Sequence, residues 1–315
     1  MLPAEFELIA RHFRKLAGPG ARELADDAAV IAPPPGRELV LTVDAMVAGV
    51  HFLPDDPPDL IGRKLLRVNL SDLAAKGAVP LGYLMTVSAP RATPDRWFAG
   101  FAAGIEDDQR RFGISLLGGD TTSTPGPITL SLTAIGHVGP GEAVSRAEAR
   151  VGDGVWVTGT IGDGALGLAV ARGRLSDPSG YLLSRYRLPD PRLGLRLAGI
   201  ASAAMDVSDG LVQDLGHLCR ASGLAAEIEA ALVPLSAPSR AAGGDWLATC
   251  LTGGDDYELL LAVPPRHEHL LAKEARRAGV QVTRIGEFRS GEPQVMVRGI
   301  DGAPLALTGG GWSHF

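Results

Sequence analysis

Cysteine is nearly absent: Cys219 and Cys250 are the only two in 315 residues. That is too few for a disulfide framework or a four-thiolate zinc site, so both read as buried, reduced thiols. Long apolar runs are missing as well. Although 45% of the residues are hydrophobic, no stretch approaches the ~20 apolar residues of a membrane span. The N-terminal residues include Glu5, Arg11, Arg14 and Lys15 and lack the uninterrupted apolar region of a signal peptide, which argues for a soluble, cytoplasmic protein without a membrane partner. Concentrated basic charge is also lacking. With a formal net charge of -6 and scattered Lys and Arg, a nucleic-acid surface is not expected, and any bound phosphate has to be met mainly by metal. Familiar catalytic words are missing too: there is no G-x-x-x-x-G-K-[ST] phosphate loop, no G-x-S-x-G nucleophile elbow and no H-E-x-x-H zinc helix.

What is present suits two domains, each long enough to bury its own core. Phe6, Ile9, Phe13 and Leu16 fall at helical spacing. Strands are expected at 38–43, delivering Asp44, then at 81–88, 114–117 and 128–138, with helices at 59–76 and at 94–112 behind Thr93 as N-cap. Gly139, Pro140 and Gly141 and the polar stretch to Arg150 mark the boundary, so the expected domains are 1–140 and 151–315. The second half repeats the mixture. Its expected strands lie at 155–158, 259–263, 282–288 and 295–298, with a strand-like turn at 205–209. Helices are expected at 163–171, 192–202, after Asp209 to Ala221, and 267–278. The fold class is therefore α/β with mixed α+β sheets. Gly162, Gly164 and Gly167 match G-x-G-x-x-G, but no second parallel strand with a terminal carboxylate follows, so the match reads as a tight strand-to-helix turn.

Seven aspartates carry the chemistry: Asp26, Asp27, Asp44, Asp72, Asp120, Asp206 and Asp209 each lie where an apolar run gives way to small residues. A single one could be a helix cap or turn former. A gathered set would repel and raise its own pKa values without cations. Hard cations, Mg2+ above all, take a few carboxylates together with water and substrate phosphates. In Gly118-Gly119-Asp120 two residues without Cβ precede a carboxylate, an arrangement that would let backbone amides approach a phosphate. Arg146 would offer a fixed fork to phosphate, and Ser208 a hydroxyl.

Taken in order, AspAspAlaAla at 26–29, ThrValAspAlaMetValAlaGlyValHisPhe at 42–52, ValAsnLeuSerAspLeuAlaAlaLysGlyAla at 68–78, GlyGlyAspThrThr at 118–122, ValThrGlyThrIleGlyAsp at 157–163, AspValSerAspGlyLeu at 206–211, GlyGlyAspAspTyrGluLeu at 253–259 and the GlyTrpSerHisPhe end resemble the thiamine-monophosphate kinase family. Part of this pattern is shared with the wider aminoimidazole ribonucleotide synthetase-like superfamily. The resemblance implies that superfamily's two-domain fold, a homodimer, and transfer of the ATP γ-phosphoryl group to thiamine monophosphate. It implies a first domain that binds metal and ATP and forms the dimer, and a second that completes the ATP and substrate cleft. By the same resemblance, Asp27, Thr42, Asp44, Asp72, Asp120, Asp206 and Asp209 would hold several Mg2+ ions. Gly119, Asp120, Arg146 and Ser208 would contact ATP, while His51, Asp255 and Trp312 would meet the thiamine substrate. Two positions depart from the family: Asp255 stands where Glu is usual, and Val43 where a hydroxyl residue is usual.

The implied chemistry needs no covalent nucleophile, because the attacking phosphate is already ionised above its second pKa of ~6. Direct transfer without a phosphoenzyme is the expectation. The rival within the superfamily is selenophosphate synthetase or an amidine-forming ligase. The former is disfavoured because no Cys precedes Cys219. The rival outside it is a non-catalytic cation- or nucleotide-binding module.

Overall fold

The computed structural model describes residues 4–243, 246–299, 301–307 and 311–312. The chain divides into two compact units, Met1–Leu73 with Ala78–Gly141, and Ala74–Gly77 with Glu142–Phe315. Gly309, Gly310, Ser313, His314 and Phe315 of the aromatic tail lie outside the described residues.

The first unit opens with α1 (Ala4–Leu8), continued by a wider π turn at Ile9–Phe13 and a tighter 3-10 turn at Arg14–Leu16, in which Phe13 and Leu16 are buried. It then runs through β1 (Glu38–Val47), α2 (Pro58–Ala75), β2 (Val79–Ala89), α3 (Asp95–Phe112), β3 (Leu116–Ser123) and β4 (Thr129–Val138). The sheet order is β1-β4-β2-β3, with β2 and β3 parallel and the other pairs antiparallel. Strand alternation decides the faces. Thr42, Asp44 and Met46 of β1 lie in register with Ala134, Leu132 and Leu130 on the face that packs against helices, where Leu130, Leu132 and Ala134 are fully buried. α2 and α3 cross closely because Gly62 and Gly104 present no side chain: a Cβ on Gly104 would stand 1.9 Å from the Asp59 carbonyl oxygen. The opposite face carries exposed Leu39, Leu41, Val43, Val79 and Leu84.

The second unit contains β5 (Gly154–Thr158), α4 (Asp163–Ala171), α5 (Tyr181–Arg187), β6 (Ala203–Asp206), α6 (Leu211–Ser222), β7 (Ala225–Glu229), α7 (Ala237–Ala241), α8 (Leu247–Thr252), β8 (Leu259–Val263), α9 (Glu268–Ala278), β9 (Val282–Arg289) and β10 (Val295–Arg298). Its sheet order is β10-β7-β9-β5-β8-β6. Every residue of β8 is buried, with Leu260 and Ala262 in one apolar cluster and Leu259, Leu261 and Val263 in another. A run apolar at every position thus marks a strand covered on both faces. Cys219 and Cys250 are free and buried, and burial pushes their thiols up to about 11 and about 12. Among the described residues, no helix is long and apolar enough to cross a membrane.

Several expected elements differ. β1 continues to Val47, so Asp44 sits within the strand and not at its end. α3 starts behind Pro94, and no side chain caps it, so Thr93 is not its N-cap. No helix spans 192–202, where Gly194 and Gly199 take φ of +85° and +72° and break the turn. α5, β7, α7 and α8 have no strong sequence period and were not anticipated.

Gly118, Gly119 and Asp120 lie inside β3, not in a loop. A Cβ on Gly119 would stand 1.8 Å from the Met85 carbonyl oxygen, so glycine is needed there for the approach of β2. Gly119→Ala is expected to force β3 away from β2 and destabilise the protein by about 2 kcal/mol. Urea unfolding measures this, and an unchanged midpoint would contradict it.

Candidate functional site

The first unit brings its predicted acids into two groups. Asp27 and Asp120 line one cavity of about 150 Å³, together with Asp26 and Gly119 and with Leu84, Met85 and Val87 of β2. The segment before Asp27 is strained: Arg22, Glu23 and Leu24 all take left-handed φ, between 48° and 56°, a conformation that costs ~1–2 kcal/mol per residue. Asp26 is paired with Arg22 and accepts from the Asp27 amide at 2.9 Å, so it braces its neighbour. In the other group the Thr42 hydroxyl donates to Asp72 Oδ2 at 2.5 Å, from β1 to α2. Asp44 stands two residues along the same strand face, and its amide donates to Asn69 Oδ1 at 3.1 Å.

Asn69 is a residue that the sequence reading missed. It is fully buried on α2, and its own amide donates to the Leu65 carbonyl. The signal was an Asn three residues before Asp72, on the same helical face. β1 is an edge strand, and Asn69 satisfies one of its outward amides.

His51 follows β1 in a turn held at two points. The Val47 amide donates to His51 Nδ1 at 3.0 Å, which places the proton of the neutral ring on Nε2. Buried Lys64 of α2 donates to the His51 carbonyl oxygen at 3.1 Å. The ring is thereby presented as a hydrogen-bond donor through Nε2.

In the second unit, three loops meet backbone to backbone. The Asp255 amide donates to the Ser208 carbonyl at 2.9 Å, and the Tyr257 amide to that of Val207 at 2.8 Å. A Cβ on Gly254 would stand 2.2 Å from the Ser208 carbonyl oxygen, and one on Gly164 equally close to that of Asp255. Asp255 and Tyr257 take left-handed φ of 72° and 53° to make this fit. Trp312 joins the group, its amide donating to the Asp209 carbonyl at 3.0 Å while its side chain stays half exposed. Asp206 ends β6 two residues before Ser208. Arg146 is exposed, and it helps hold the His217 imidazole below its ordinary pKa, after burial and Arg220.

Two buried carboxylates organise these loops, and neither was singled out from sequence. Asp256 accepts from the amides of Gly162 and Gly164 at 2.6 and 2.9 Å. The glycine turn that matched a dinucleotide fingerprint therefore has its anion cradle filled by the protein's own side chain. Asp214 of α6 accepts from the amides of Ser208 and Asp209, both at 3.0 Å. Burial, with the Asp209 charge also opposing ionisation, pushes its carboxyl up to about 7.

Asp27, Asp72, Asp120 and Asp209 have no Lys or Arg partner among the described residues. Carboxylates left without basic partners, beside hydroxyl and carbonyl oxygens, form the donor set that hard cations take.

The family model described as AIR synthase related protein, N-terminal domain, matches residues 25–138, and its C-terminal counterpart matches residues 150–298. The thiamine-monophosphate kinase of Caulobacter vibrioides is 44% identical over 99% of this chain and 91% of its own length. The chain belongs to the thiamine-monophosphate kinase family. Among solved structures, that of the family member from Stenotrophomonas maltophilia is 40% identical, with a TM-score of 0.81 over 90% of this chain and 91% of that one. AaThiL complexed with AMPPCP and TMP is 31% identical, with a TM-score of 0.78 over 92% and 91% of the two chains.

Val43, where the family pattern has a hydroxyl residue, is 61% exposed on the sheet face opposite Thr42 and Asp44. The shorter Asp255 is carried by a strained turn that Asp256 anchors from the next position.

Burial raises the Asp256 carboxyl from an ordinary 3.8 to about 8. The folded chain then binds that proton more tightly than the unfolded chain. Its contribution to stability is fully present below the unfolded value and is lost as pH rises through the folded one, and Asp214 acts in the same direction. The melting temperature of metal-free protein is expected to fall between about pH 5 and pH 8, and less so in Asp256→Asn. Parallel profiles for the two proteins would contradict this.

Proposed function

We propose that the chain transfers the γ-phosphoryl group of ATP to thiamine monophosphate, forming thiamine diphosphate and ADP, as a step of thiamine diphosphate biosynthesis in the cytoplasm. The observation that carries this reading is that Asp27, Asp72, Asp120 and Asp209 have no Lys or Arg partner among the described residues, in a chain 44% identical to a thiamine-monophosphate kinase over nearly its whole length. A relative of known structure is complexed with AMPPCP and TMP, an arrangement compatible with the same pair of ligands here.

Asp27, Thr42, Asp44, Asp72, Asp120, Asp206 and Asp209 are the residues proposed to hold Mg2+. When bound, such ions neutralise phosphate charge and so lower the repulsion between two anionic reactants. Gly119 and Asp120 on β3, with Arg146 and Ser208, are assigned to ATP. His51, donating through Nε2, is assigned to the thiamine substrate with Asp255 and Trp312. No side chain has to take a proton from the attacking oxygen, since a phosphate monoester is ionised above ~6. Transfer is therefore direct, and the residues bind, orient and hold charge in place.

We propose further that the chain acts as a homodimer through the open face of its four-stranded sheet. Cross-strand rows Leu39-His137-Val79, Leu41-Ile135-Gly82 and Val43-Thr133-Leu84 set the exposed apolar side chains on one face. Such a contiguous face is rare on a monomer. Leu41→Lys is expected to shift the mass measured by light scattering toward the monomer, and an unaltered dimer would exclude this face.

Purified protein with ATP, Mg2+ and thiamine monophosphate is expected to release ADP only when all three are present. Release without dependence on thiamine monophosphate, or equal turnover of thiamine, would overturn the assignment. Asp72→Asn should lower kcat by about 100-fold or more while the melting temperature stays near that of the parent. Near-normal turnover would remove Asp72 from the site.

A further inference from the structure

Asp214 has no role in the reading above, yet it is among the most buried charged residues of the second unit, at 1% exposure. It lies in the first turns of α6, and its Oδ2 reaches back past the start of that helix to the amides of Ser208 and Asp209. An ordinary helix cap would be supplied from the position before the helix. That position is Gly210, where a Cβ would stand 2.4 Å from the Thr252 carbonyl oxygen, so no capping side chain fits. The acceptor comes from inside the helix instead. Two successive amides, those of Ser208 and Asp209, thus converge on one carboxyl oxygen. This is the concave amide nest that in other proteins receives a phosphate or metal-bound anion. Here it is filled internally, and the amides of residues 208 and 209 are committed inward. The Ser208 hydroxyl and the Asp209 carboxylate, both part-exposed, remain for ligands.

We propose that Asp214 is a positioning residue: by gathering the amides of 208 and 209 it fixes the direction of the Asp209 carboxylate and thereby sets the affinity of the second unit for a divalent cation. The inference rests on the assignment of Asp209 to the cation set. Direct ligation by Asp214 is the competing arrangement, since Asp209, Asp214 and His217 place ligand atoms within 4.8 Å of one another. It is disfavoured because Oδ2 already serves two amides and the side chain has almost no exposed surface.

Mn2+ titration of the full-length chain, followed by the electron paramagnetic resonance of free Mn2+, separates the two. Asp214→Ala is expected to weaken one class of sites by about 10- to 100-fold, the range typical when the group that orients a ligand is removed. Backbone amide exchange at 208 and 209 should accelerate in the same variant. Asp214→Asn keeps an oxygen at the nest and should recover most of the affinity. Wild-type Mn2+ binding in folded Asp214→Ala would overturn the proposal. An Asn variant as weak as the Ala variant would also overturn it, in favour of direct ligation. Should Asp214→Ala not fold, Asp214→Glu, which displaces the acceptor by a methylene, takes its place with the same expected loss and the same overturning result. A parent chain whose Mn2+ affinity falls in Asp214→Ala and recovers in Asp214→Asn, but which does not phosphorylate thiamine monophosphate, would sink the kinase reading alone. A parent chain that binds no Mn2+ would sink this proposal.

Discussion

Carboxylates near one another repel, and within each unit much of the local architecture serves to hold them in place. In the first unit Asp27 follows a left-handed turn of three residues, Asp44 is fixed through its amide by buried Asn69, and Asp72 is held by Thr42. In the second, Asp209 rides on a loop whose amides close around Asp214. Among the described residues Asp27, Asp72 and Asp209 are constrained through backbone or a neutral hydrogen bond, not through a lysine or arginine. That choice leaves their charge available, whereas an ion pair would have consumed it. Where the protein does use buried ion pairs they are elsewhere, as between Asp108 and Arg67 at 2.5 Å or between Glu258 and Arg185 at 3.0 Å.

Asp214 and Asp256 apply a common device. Both are buried carboxylates that accept from successive or near-successive backbone amides, and both close a glycine-containing turn that would otherwise suit an external anion. Asp256 explains why the G-x-G-x-x-G match is not a nucleotide loop. The turn has the glycines and the helix start of such a loop, but its amides are already occupied. A sequence pattern reports the backbone shape that glycine permits, and the occupant depends on a residue almost a hundred positions away.

Most of the regular structure could be read from hydrophobic period: β1, α2, α3, β4, β8 and α9 lie within a few residues of expectation. The failures have physical causes. The 192–202 segment has helical composition, but Gly194 and Gly199 adopt left-handed φ. The strand expected at 114–117 ends too early, at Gly118-Gly119-Asp120, because glycine usually breaks a strand, whereas here the Met85 carbonyl leaves room for nothing larger within one. The candidate acids were conspicuous in the sequence because Asp beside an apolar run is costly. Asn69, Asp214 and Asp256 were not, because their function is to satisfy amides whose positions exist only once the chain has folded.

The central claim is that these acids serve phosphoryl transfer through divalent cations. Its most direct measurement is the 31P NMR spectrum of ATP and thiamine monophosphate incubated with protein stripped of metal by a chelator, before and after Mg2+ is restored. The account predicts that resonances of thiamine diphosphate and ADP appear only after Mg2+ is added. Their formation at the same rate in the stripped sample would contradict it.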